Sequence, residues 1–62
     1  SENAFFVRTT SDKAQVESVF GNVEYVEGVV EGEIGFITEN MKEAVFAEKA
    51  SEIQMVSRIR LG

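Results

Sequence analysis

Arg8, Arg58 and Arg60 are the only arginines in the chain, and they are its best candidates for chemistry. A guanidinium is planar and offers bidentate hydrogen bonds to a carboxylate or a phosphate. A second candidate is the run Thr10-Ser11-Asp12, two hydroxyls beside a carboxylate. Ten glutamates and one aspartate guarantee close carboxylate pairs, but on an acidic surface such pairs are solvated and do no acid–base work unless something shifts them. His and Cys are both missing. That excludes Cys–His and Ser–His–Asp nucleophiles, disulfides and thiolate metal sites, and removes the usual donors to zinc, copper and haem. Gly28, Gly32 and Gly35 fall in a predicted hairpin rather than between a strand and a helix, so they are no phosphate cradle. The sequence thus predicts no catalytic residue, no metal and no cofactor.

The elements that must position these residues read as strand, helix, strand, strand, helix, strand. Ala4 to Thr10 is aromatic and β-branched, and alternation sets Phe5 and Val7 on the core side, with Phe6 and Arg8 opposite. Asp12 and Gln15 have capping-box spacing; Val16, Val19 and Phe20 form the stripe of the helix that follows, and Gly21-Asn22 ends it. Strands are expected at 23–30 and 33–39, turning at Glu31-Gly32. A two-residue turn would set Val29 across from Ile34 and Glu27 across from Phe36. A glutamate would then stand beside the core, so either a bulge shifts the register or the strand lies at the sheet edge. Asn40 with Glu43 repeats the capping-box spacing and opens a helix to about Ile53, with Phe46, Ala47, Ala50 and Ile53 on one face. In the last strand, Met55, Ile59 and Leu61 are expected inward, and Val56, Arg58 and Arg60 outward.

This pattern is the α+β, ferredoxin-like βαββαβ plan, a four-stranded antiparallel sheet of order 4-1-3-2 with two helices on one face. The whole chain, 1–62, is read as one domain, with 1–3 as a tag remnant, a cut inside a longer chain, or a flexible end. In this order the first and last strands are neighbours, and strand parity places Phe6, Arg8, Val56, Arg58 and Arg60 together on the face that the helices leave open. One reading of that face is an interface between copies. The other is internal pairing of the arginines with Glu24, Glu33 or Glu39. A chain of 62 residues buries only ~60% of its unfolded surface, so added packing from an oligomer is expected. The formal charge of −5 argues against nucleic acid, and no run of ~18 apolar residues crosses a membrane. The expected compartment is the cytoplasm.

The third strand Glu31-Gly32-Glu33-Ile34-Gly35-Phe36-Ile37-Thr38 and the ending Met55-Val56-Ser57-Arg58-Ile59-Arg60-Leu61-Gly62 resemble the ACT and RAM group of small regulatory domains. Val30 to Ile34 is similar to the turn before the third strand in RAM domains of Lrp/AsnC-type regulators. The ending is similar to the last strand of many ACT domains. The resemblance implies a regulatory or oligomerisation domain of a larger protein that binds an amino acid between subunits. Thr10, Ser11 and Asp12 are the positions named for that ligand, Asp12 for an ammonium and the hydroxyls for a carboxylate; helix capping is the other use of the same residues. The rival function is a free-standing acidic interaction module docking a partner through its open sheet face.

Overall fold

The computed structural model describes residues 3–62. Ser1 and Glu2, most of the segment read as a tag remnant, lie outside the described residues. Asn3 is tied in: its carbonyl accepts a bond from the Met41 amide at 3.0 Å. The elements are β1 (Phe5–Thr9), α1 (Lys13–Phe20), β2 (Glu24–Val26), β3 (Ile34–Ile37), α2 (Glu43–Ala50) and β4 (Met55–Arg60). All pairings are antiparallel, in the order β2-β3-β1-β4. This is the ferredoxin-like α+β layout.

One face of the sheet carries the core. Phe5 and Val7 of β1 and Phe36 of β3 meet Val16 and Phe20 of α1 and Phe46 and Ala50 of α2, with Ile53 closing the end. Phe5 stacks on Phe46 with ring centroids 4.1 Å apart, and Phe20 tilts onto Phe36 at 5.3 Å. Each phenylalanine ring buries a large, flat apolar surface, which helps two eight-residue helices cover a four-stranded sheet. Ala47, expected on the buried stripe of α2, is exposed.

The two helix starts differ. Asp12 Oδ1 accepts from the Gln15 amide at 2.9 Å, the cap expected of it. Gln15 does not close the box; its side chain donates to the Glu52 carbonyl at 3.0 Å instead. Gly21 ends α1 at φ 73°, a conformation that costs glycine nothing. In α2 the N-cap is Lys42, without a side-chain cap bond. The expected Asn40–Glu43 box does not form, because the helix begins three residues beyond Asn40, too late for its side chain to reach the first-turn amides.

The hairpin register also differs from the expected one. A turn does form at Val30–Glu33, where the Glu33 amide donates to the Val30 carbonyl at 3.1 Å. The ladder beyond it pairs Tyr25, not Glu27, with Phe36, and Val26 with Gly35. The chain breaks strand geometry at Gly28, φ 88°, and so sets a tyrosine rather than a charge against the core. β2 is indeed an edge strand, and Glu27 lies past its end in water.

Candidate functional site

Among the described residues, the other face of the sheet carries no helix. Two rows of side chains cross it, fixed by the register. The first runs Glu24, Ile37, Phe6, Ile59 from β2 to β4. Phe6 and Ile37 are half-buried and Ile59 is 57% exposed. The second row runs Val26, Gly35, Arg8, Ser57. Gly35 is glycine for a steric reason: a Cβ there would lie 2.7 Å from Val29 Cγ1 and 3.3 Å from the Phe6 ring. Val29 thus folds back from the β2–β3 loop onto the sheet and extends the apolar strip. No contact so short is tolerated without movement.

Arg8 is on this face, as expected, and it is paired within the chain. Its Nε donates to Glu33 Oε1 at 2.8 Å, and Nη2 lies 2.7 Å from the same oxygen. The internal-pairing reading holds for Arg8. Arg58 and Arg60 are not on the open face. Their partners across the ladder are Val7 and Phe5, both buried beneath the helices, and residues directly opposite share a face. Arg58 lies over the Phe5 and Phe46 rings, at 5.6 and 5.1 Å, and its Nη1 reaches Glu43 Oε2 at 2.6 Å. Val56 has no partner across the ladder, because the register shifts between Arg8, which pairs with Ser57, and Thr9, which pairs with Met55. It is the extra residue of a bulge. Ile59, expected inward, takes the place on the open face that the arginines were to fill.

Parity failed in β4 because an arginine can do what an apolar side chain does at the rim of a core. Its stem and planar head cover aromatic rings while the charge reaches water and a carboxylate. No hydropathy pattern distinguishes that arrangement from its reverse.

Thr10, Ser11 and Asp12 do come together, on the wall of an open cleft of about 360 Å³ completed by Gln15, Glu52, Ile53 and Gln54. Their polar groups are already engaged. Thr10 Oγ1 donates to Gln54 Oε1 at 3.1 Å, Ser11 Oγ accepts from the Gln54 amide at 2.8 Å, and Asp12 caps α1. Behind them, buried Thr9 donates through Oγ1 to the Gln54 carbonyl at 2.6 Å and accepts from the Ser11 amide at 3.0 Å. The result is a hydrogen-bonded clasp between the β1–α1 and α2–β4 connections. Two carboxylates and no basic side chain line the cleft, which favours an ammonium over an anion.

Tyr25 was not singled out by the sequence. It flanks the core beside Phe36, its hydroxyl donates to Glu17 Oε2 at 2.6 Å, and the Lys13 ammonium lies 4.7 Å above its ring. Burial, with the Glu17 carboxylate beside it, pushes the phenol up to about 12. Among the described residues, no group of three or more carboxylates converges as a metal site. No helix there is long and apolar enough to cross a membrane.

Fold and site together define a small ferredoxin-like α+β domain with one sheet face left bare. Compared with protein families, curated proteins and solved structures, the chain matches none.

Proposed function

We propose that the chain is a non-catalytic regulatory or oligomerisation domain of the ACT or RAM type, and that two copies associate through their open sheet faces. The observation that carries this reading is the row Ile37, Phe6, Ile59, three apolar side chains abreast on neighbouring strands with no element among the described residues to cover them. Arg8 and Glu33 neutralise each other on that face, so packing two faces together buries no unpaired arginine. A standard interface takes roughly 800 Å² from each partner, about one fifth of the 4045 Å² this chain exposes. An amino-acid effector would enter at the cleft beside Thr10, Ser11 and Asp12, its ammonium toward Asp12, in exchange for the clasp bonds there.

Light scattering over a range of protein concentrations, with and without a pool of amino acids, tests both parts. The expected mass is that of a dimer or higher, returning to the monomer in Ile59→Glu, and shifting when the effector is present. A wild-type monomer at millimolar concentration would sink the association, and the interaction-module reading would then take its place.

A further inference from the structure

We infer that the free edge of β4 is a docking strand for an extended acidic peptide segment. It goes beyond the open-face reading: the hydrogen-bonding edge of β4 carries it, and Ile59 is the one residue that serves both. β4 is the longest strand of the sheet, six residues, and pairs only with β1. Among the described residues no element lies along its outer side, so beyond the bulge at Val56 the backbone N–H and C=O groups of alternate residues from Ser57 to Arg60 point to water as a template for another strand. The opposite edge, β2, offers three residues before the chain turns away.

The side chains of β4 say what kind of strand fits. Arg58 and Arg60 lie on one side of the ribbon, Ser57 and Ile59 on the other. Arg58 already shares its charge with Glu43, and Arg60 makes no ion pair among the described residues. A second copy of β4 fits poorly. Antiparallel pairing about a two-fold axis keeps the two faces in common and would bring four arginines onto one side, at or next to one another, where like charges are destabilising. A peptide with carboxylates at alternate positions meets both arginines on one side, and its intervening apolar residues meet Ile59 on the other. Main-chain bonds give such an added strand its affinity, and the alternate side chains give it specificity. The net charge of −5 opposes an acidic partner at long range, but physiological salt screens beyond about 8 Å, leaving the local pair to decide.

The test is a titration of the isotope-labelled chain, followed by amide NMR, with a capped seven-residue peptide alternating Glu and Val, and with its Lys-for-Glu counterpart. Saturable shifts centred on Met55 to Arg60 with the Glu peptide are expected. Affinity should fall at least tenfold in Arg60→Glu, a variant that leaves the ring contacts of Arg58 intact, and the Lys peptide should give no saturation. Equal binding of the Lys peptide, shifts centred away from β4, or no shifts at millimolar Glu peptide would overturn the inference. So would β4 shifts that appear on concentrating the Ile59→Glu chain alone, in which open-face association is blocked, because a second copy would then be the occupant of the edge. Open-face association is read separately, from the mass and from Ile59→Glu, so either idea can fail without the other.

Discussion

The two faces of this sheet are built from the same strands and obey different rules. Under the helices, Phe5, Phe36 and Phe46 are fully buried; Phe5 stacks on Phe46, and Phe20 tilts onto both Phe36 and Phe46. On the bare side, Phe6 and Ile37 are half-covered by neighbours within the sheet, and Ile59 is more than half exposed. The difference lies in what each face needs from outside. The first is complete within the chain, whereas the second reaches comparable burial only against another surface. Stability therefore belongs to one face, and association is proposed for the other.

The largest test of that contrast sets Phe46→Ala against Phe6→Ala in urea denaturation. Phe46→Ala should cost about 3–5 kcal/mol, between about a third and all of the stability expected at about 0.05–0.15 kcal/mol per residue. Phe6→Ala should cost under about 2 kcal/mol; an equal loss at both positions would break the contrast. Next in size is Gly35→Ala. The added methyl has to displace Val29 or the Phe6 ring, at about 1–3 kcal/mol, and Val29→Ala in the same chain should recover much of it.

The smallest effect is at the rim of the covered face. As the only tyrosine, Tyr25 can be followed by its phenolate absorbance, and it should titrate at about 12. The folded state holds that proton more tightly than the unfolded chain, whose tyrosine titrates near 10. Its contribution is thus complete below pH ~10 and lost as pH rises from there toward 12. Glu17→Gln should bring the folded value down; an unchanged value would mean that burial alone sets it.

The legible parts of the molecule were those where one local rule acted alone. Alternation at Phe5 to Arg8 gave both faces of β1, and the Asp12 cap and Gly21 stop bounded α1. Strand order followed from the plan as a whole. The illegible parts were decided by competition between distant groups. Tyr25 displaced Glu27 across from Phe36 because only one of them can lie beside a core without losing the hydration of a charge. The bulge at Val56 depends on how Thr9 is held to Gln54 from behind, a contact between residues far apart in sequence. Thr10, Ser11 and Asp12 line one cleft wall, but the bonds of Thr10 and Ser11 to Gln54 had no signature in the residues themselves.

The central position of β1 carries a consequence in time. Its neighbours are β3 and β4, and the Leu61 amide bonds to the Ala4 carbonyl at 2.8 Å, so the first strand is flanked by the last. A growing chain can pair β2 with β3 and close β3 on β1, but half of the central strand's hydrogen-bonding capacity waits until β4 emerges. Such non-local closure slows folding relative to a helical bundle of equal length. Until synthesis reaches Arg60, the far side of β1 stays open to whatever pairs with it first.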